Sequence, residues 1–271
     1  MLDSGIIYRT IEPSPALASH IKCFWVLESS FPTGEETVVT DGCPEIILHY
    51  GDYFSERSES GVWEKQPKAI VAGQITRPLT LLPTGRVGML GIRFWPHGIA
   101  SLLDGSASEL TDQRSEIAVI SSAITQLEEL VINASSIEER VRTCESFLKK
   151  LLLVQATDQV VDRAVKAIVN SNGNVMVRQL AKELNTTERQ LQRKFRSQVG
   201  LSPRQLSRAF RFHRIIELLE EPPHPTWAQL ALDCGFFDQA HLNRDFRQFT
   251  GQSPSAYIKQ TSPIAQCLSA G

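Results

Sequence analysis

The residues best suited to chemistry lie between Arg189 and Arg214, a stretch reading RQLQRKFRSQVGLSPRQLSRAFRFHR with eight Arg or Lys and no Asp or Glu. A block of one charge at this density is a footprint for phosphate. It is also ordered. Leu191 and Phe195 share one helical face, whereas Arg189, Gln192, Arg193 and Arg196 follow the i, i+3, i+4, i+7 spacing of another. A helix with an apolar back and an Arg/Gln front packs on a domain while offering long donors to base edges and phosphates. Arg189, Gln192 and Arg193 are placed to read bases, since Arg pairs bidentately with guanine and Gln with adenine. Arg196 is placed to hold phosphate. The plainer reading is a solvated basic face, and recurrence of the pattern weighs against it.

The elements that must position these side chains occur twice. LQRKFRSQVGLSP begins at Leu191 and LNRDFRQFTGQSP at Leu242, with Leu191/Leu242, Arg193/Arg244, Phe195/Phe246, Arg196/Arg247, Gly200/Gly251, Ser202/Ser253 and Pro203/Pro254 all offset by 51. Such agreement marks an internal duplication. Each copy follows a short helical pattern, VRQLAKEL or WAQLALDC, and a turn at Asn185 or Gly235, residue types that tolerate positive φ. Thr187 and Asp238 are expected N-caps of the second helix in each pair, and Gly200 and Gly251 expected C-caps. Helix, short turn and basic helix form a helix-turn-helix unit, whose second helix enters the major groove. A further helix over 203–220 joins the two units and suits them to successive major grooves, roughly 34 Å apart. In the second unit the positions matching the first reader are Ala240, Asn243, Arg244 and Arg247, with Ala240 suited to a thymine methyl.

QLAKELNTTERQLQRKFRSQVGLSPRQL and QLALDCGFFDQAHLNRDFRQFTGQSPSAY together resemble the two half-motifs of AraC/XylS-family transcriptional regulators. The resemblance covers about residues 160–260 and implies two helix-turn-helix units joined by a long helix, DNA as partner, and Gln239 and His241 as additional DNA-binding positions. The chain departs from the family pattern at Ile215, where a small residue is usual, and at Asp245 within the second reading helix.

Composition agrees with a two-part chain. Over 271 residues the formal charge is −2, but residues 161–260 hold 15 Lys+Arg against 9 Asp+Glu, leaving 13 against 21 elsewhere. The reader is basic and the remainder acidic, so the remainder does not compete for phosphate. Cys23, Cys43, Cys144, Cys234 and Cys267 are odd in number and lack CxxC spacing, which argues against a disulfide framework or a Cys-rich zinc site. Without a leader pattern or an apolar run of about 20 residues, the expectation is a soluble cytoplasmic protein with no membrane partner.

Ahead of the reader the chain reads as short strands, IKCFWVLES, TVVT, EIILHYG, AIVAGQI, LTLLP and VGMLGIRFW, separated by Gly/Pro turns. The fold class expected is therefore α+β multidomain, with a small N-terminal antiparallel β barrel or sandwich and a C-terminal all-α double helix-turn-helix. Within an AraC-like chain this part resembles the cupin-like sensor domains, which implies a small-molecule effector but names none. Phe24, Trp25, Phe31, Tyr50, Tyr53, Phe54, Trp63, Phe94 and Trp95 either line a ligand cavity or form plain core. His20, His49 and His97 do not make a metal-ligating cluster, and no metal or cofactor is expected. IASLLDG after Gly98, then 115–133 and 137–154, read as helical. In the last, Ile137, Val141, Cys144, Leu148 and Leu151 form a seam that either buries against the sheet or pairs with a second copy.

The division expected is 1–112 as the β-rich sensor, 113–159 as a helical linker or dimerisation region, 160–260 as the DNA-binding domain and 261–271 as a tail. The function expected is sequence-specific transcription regulation, effector-responsive through the N-terminal domain, with RNA polymerase as a partner if the protein activates. Two enzyme readings compete. Some DNA-repair alkyl-transfer enzymes carry an AraC-like reader beside a reactive Cys, but Cys23, Cys43 and Cys144 lack an adjacent activating His. A cupin enzyme with an accidental basic repeat lacks metal ligands.

Overall fold

A computed structural model describes residues 5–30, 32, 34–120, 124–152, 158–220, 226–260 and 267. The N-terminal part is a sandwich of two open antiparallel sheets. One has six strands in the order β1 (Ile6–Ile11), β2 (Ile21–Ser29), β9 (Val87–Phe94), β4 (Glu45–His49), β7 (Ala69–Ala72) and β10 (Arg114–Glu116). The other runs β3 (Glu36–Val38), β8 (Leu79–Pro83), β5 (Phe54–Arg57) and β6 (Trp63–Lys65).

Alternation along β2 and β9 divides two cores. Trp25, Leu27, Val87 and Met89 face the four-stranded sheet and meet Val38, Phe54, Leu79 and Leu81. Phe24, Val26, Leu90, Ile92 and Phe94 face the opposite way, against helices. Gly91 sits opposite Trp25 in the β2–β9 register, and a Cβ there would lie 1.9 Å from the indole, so only glycine admits this tryptophan. Phe24, Trp25, Phe54 and Phe94 are thus core, at no more than 1 % exposure. Tyr50, Tyr53, Trp63 and Trp95 are half-buried, and Phe31 lies outside the described residues.

The helical expectation for 115–133 is corrected. Arg114–Glu116 pairs with β7 as a sheet edge, Arg114 meeting Glu56 of β5. Only then come α1 (Ile117–Ile120) and α2 (Gln126–Ile132). IASLLDG gives only a 3-10 turn at Ala100–Leu102. The seam of α3 (Ile137–Leu152) turns inward: Val141, Cys144, Leu148 and Leu152 join Ile124, Leu127 and Val131 on the six-stranded sheet. Those side chains cover the sheet of their own chain. Four short strands, β1, β5, β6 and β10, do not stand out in the sequence.

The C-terminal part is helical: α4 (Gln159–Asn170), α5 (Val177–Glu183), α6 (Glu188–Gln198), α7 (Pro203–Glu220), α8 (Trp227–Asp233), α9 (Gln239–Thr250) and α10 (Pro254–Gln260). The 18 residues of α7 span about 27 Å. Its first half, through Leu206 and Phe210, closes the core of α4, α5 and α6. Its second half, through Phe212, Ile215 and Ile216, closes the core of α8, α9 and α10. Ile215 is therefore absorbed as core, at 1 % exposure.

The sandwich rests on this helical body. Val39 enters the second core. Gly42, at φ +78°, lies so near α7 that a Cβ would meet the Phe210 ring at 2.7 Å. The 3-10 turn Ala107–Leu110 sits against the end of α6, where Thr111 Oγ1 donates to the Gly200 carbonyl at 2.9 Å.

Candidate nucleic-acid interface

Each reading helix is set by local backbone chemistry. In the first unit Asn185 takes φ +52° and Thr186 N–H closes onto the Ala181 carbonyl at 3.0 Å. In the second, Gly235 takes φ +71° and Phe236 N–H closes onto the Ala231 carbonyl at 2.8 Å. Thr187 Oγ1 then accepts from Gln190 N–H at 3.2 Å while Gln190 Oε1 accepts from Thr187 N–H at 3.1 Å, a reciprocal capping box opening α6. Asp238 Oδ1 accepts from His241 N–H at 2.6 Å and opens α9. Both helices end on left-handed glycines, Gly200 at φ +87° and Gly251 at φ +73°.

Leu191 and Phe195 are fully buried beneath α6, as are Leu242 and Phe246 beneath α9. This turns Arg189, Gln192, Arg193 and Arg196 outward on α6, and Gln239, Ala240, Arg244 and Arg247 outward on α9, all exposed. His241 and Asn243 are half-buried, the His241 ring standing edge-on to Phe236 at 5.2 Å. No ion pair within the described residues engages Arg189, Arg193, Arg196, Arg244 or Arg247.

Of the rest of the basic block, Arg204 at the start of α7 is exposed, whereas the other four side chains have partners within the fold. Lys194 pairs with Asp158, the N-cap of α4. Arg214 pairs with Glu217 at 2.8 Å, and the Arg211 guanidinium lies 5.4 Å from the Phe236 ring. Arg208 forms a two-pronged bond to Asp245, Nε to Oδ2 at 3.0 Å and Nη2 to Oδ1 at 2.7 Å, and also donates to Gln248. Asp245, the acidic departure noted in the sequence, is 5 % exposed. It stitches α9 to α7 on the side away from the arginine front. Counting it among charges that face phosphate misreads it.

The sequence reading passes over Phe237, which is 89 % exposed one residue before the N-cap of α9. The repeats carry its signal. The first helices of the two units align at an offset of 50 (Leu180/Leu230, Ala181/Ala231) and the second helices at 51, so the second turn holds one additional residue.

Four of the five thiols are poorly placed for attack. Burial raises Cys43 and Cys144 to about 12 and Cys234 to about 11, and also raises Cys23. Among the described residues there is no group of three or more His, Cys, Asp or Glu that could hold a metal ion. Nor is any described helix long and apolar enough to cross a membrane.

Residues 180–260 match the family described as a helix-turn-helix domain, and residues 9–116 match a domain of unknown function (DUF6597). Among solved structures the chain is similar to ToxT from Vibrio cholerae, at 15% identity over 90% of this chain and 100% of that one, TM-score 0.47. It is also similar to the transcriptional regulator CdpR from Pseudomonas aeruginosa, at 21% identity over 65% of this chain and 46% of that one, TM-score 0.34. A third is the AraC-like transcriptional activator CuxR, at 15% identity over 72% of this chain and 76% of that one, TM-score 0.28. No curated protein matches the chain. The C-terminal part of the chain thus carries a helix-turn-helix domain over 180–260, joined to an N-terminal domain of unknown function over 9–116.

Proposed function

We propose that the protein is a sequence-specific DNA-binding transcription regulator that reads two adjacent stretches of major groove, one with α6 and one with α9. The observation that carries this is the division of the basic residues. Those on the outer faces of α6 and α9 are exposed and unpaired within the described residues, whereas Lys194, Arg208 and Arg214 are held by Asp158, Asp245 and Glu217. Arg189, Gln192 and Arg193 read bases in the first half of the site and Arg196 holds phosphate. Gln239, Ala240, His241, Asn243, Arg244 and Arg247 serve the second half. On this reading 160–260 is the reader, and the sandwich with α2 and α3 is the input domain that responds to a small-molecule effector. The protein works in the cytoplasm, where its DNA is. RNA polymerase becomes a partner if it activates. A second copy, if recruited, uses a surface other than the α3 seam, which is already buried.

Selection of binding sites from random duplex DNA by the full-length protein tests this. The expected result is a motif with two short elements one helical turn apart. Substituting Arg193 should relax preference within one element, and substituting Arg244 within the other. A motif with a single element, or one in which both substitutions relax the same element, would refute the double reader.

An alkyl-transfer enzyme fits less well. Such chemistry needs a thiolate, and burial holds Cys23, Cys43, Cys144 and Cys234 in the thiol form.

A further inference from the structure

Between the sandwich and α4 lies a crevice of about 300 Å³. Trp95, His97 and Ser19 line one side, and Val165, Lys166 and Val169 the other. Its sandwich wall is pinned by the backbone: Trp95 Nε1 donates to the Ala18 carbonyl at 2.9 Å, Trp95 N–H to the His20 carbonyl at 2.9 Å, and Gly98 N–H to the Trp95 carbonyl at 2.7 Å. A Cβ at Gly98 would lie 2.0 Å from the His20 carbonyl oxygen, so the turn carrying His97 has no freedom to retreat.

His97 is the group this packing leaves unexplained. It is 6 % exposed, and neither ring nitrogen has a hydrogen-bond partner. Its Nε2 lies 3.5 Å from Asp162 Oδ1, too long for a good hydrogen bond. A buried imidazole without partners is costly unless something else supplies them.

We propose that this crevice is a binding site for a small neutral molecule with a flat apolar body and a hydroxyl group, of the phenol or naphthol class. The body fits between the Trp95 ring and the side chains of Val165 and Val169, in a volume at the small end of ligand pockets, about 300–1,000 Å³. The hydroxyl meets His97. A hydroxyl both donates and accepts, so it completes the neutral imidazole in either tautomer. A carboxylate only accepts, and it would stand beside Asp162, whose charge already takes up Lys166 at 2.9 Å. Burial lowers His97 to about 4, so the imidazole is neutral at pH 7, and with Asp162 and Lys166 offsetting each other the crevice favours a neutral guest.

One wall belongs to the sandwich and the other to the first helix of the reader. An occupant therefore clamps α4, whose Asp158 cap holds Lys194 of α6. This deepens the input half of the proposed function and rests on it only for the effect on DNA. Binding itself is tested without DNA.

The test is isothermal titration calorimetry of the full chain with 2-naphthol, with 2-naphthoate as the charged comparator. The unmodified chain should bind 2-naphthol saturably at one site and 2-naphthoate at least fivefold more weakly. Val169→Trp fills the crevice from the reader side and Ser19→Trp from the exposed sandwich side. Each should weaken 2-naphthol at least tenfold, and a melting temperature within a few degrees of the parent identifies whichever variant is folded. His97→Phe, which keeps a ring but removes both nitrogens, should weaken it severalfold. Absence of saturable binding to the unmodified chain would overturn the proposal. So would unchanged affinity in the folded filling variant, or 2-naphthoate binding as tightly as 2-naphthol.

Discussion

Asp245 offers a prediction on which charge counting and geometry part ways. Counted by sequence, an acidic residue in a reading helix repels phosphate, and Asp245→Asn should tighten DNA binding. In the structure its side chain is 7 % exposed and holds Arg208, itself 26 % exposed, through bonds of 3.0 and 2.7 Å. Breaking a buried ion pair from one side costs about 3–5 kcal/mol. Arg208 is about a quarter open to water and keeps its bond to Gln248, so the cost here is nearer 2 kcal/mol. For a chain of this size that lowers the melting temperature by roughly 4–8 °C. Calorimetry on Asp245→Asn, Arg208→Ala and the double variant isolates the pair, and the two single losses added together should exceed the loss in the double variant by the coupling energy. DNA affinity, measured by anisotropy at two salt concentrations, should fall or stay level, and the salt dependence should change by less than one phosphate contact. An unchanged melting temperature together with tighter DNA binding would refute the inward orientation of Asp245.

Three further outcomes are expected. Arg193→Ala should cost more DNA affinity than Arg244→Ala, by about 1 kcal/mol or more if the lost contact is bidentate, and equal losses would contradict this. Gly91→Ala should destabilise the sandwich by about 1–3 kcal/mol or more, read by denaturant titration, because the new methyl overlaps the Trp25 indole. His49 is 1 % exposed without hydrogen-bond partners, and burial lowers it to about 4. Between pH 6.5 and 4 the unfolded chain therefore binds a proton that the native one refuses, and stability falls with falling pH by up to about 1.4 kcal/mol per pH unit. His49→Phe should flatten that part of the stability profile, and a profile as steep as the parent's would contradict the assignment.

The reader was legible because its instructions are local. A cap at Thr187 or Asp238, a left-handed residue at Asn185 or Gly235 and a closing glycine each act within one turn of backbone, and the duplication states them twice. The central strands were legible for a similar reason, as β2, β4 and β9 carry uninterrupted apolar runs. What escaped depends on partners remote in sequence. Ser115 and Glu116 look helical in isolation and become strand because the edge of β7 offers them hydrogen bonds. Asp245 is neutralised by a residue 37 positions away. The seam of α3 was equally compatible with a second copy until the sheet placed Phe24, Leu90 and Ile92 against it. The crevice at His97 is assembled from residues near 19, 95 and 165, and no window of sequence contains all three.

The contact between Gly42 and Phe210 bears on how the protein can be handled. Phe210 belongs to the core around α4, α5 and α6, yet part of its ring is covered by the loop that carries Gly42, while Val39 from the same loop completes the neighbouring core. A shortened chain starting at α4 would present both places to water as adjoining apolar ground along α7. Such surfaces find one another at working concentration. The shortened chain should therefore scatter light and sediment faster than its length requires. Loss of DNA binding in such a fragment would report colloidal behaviour before it reported regulation.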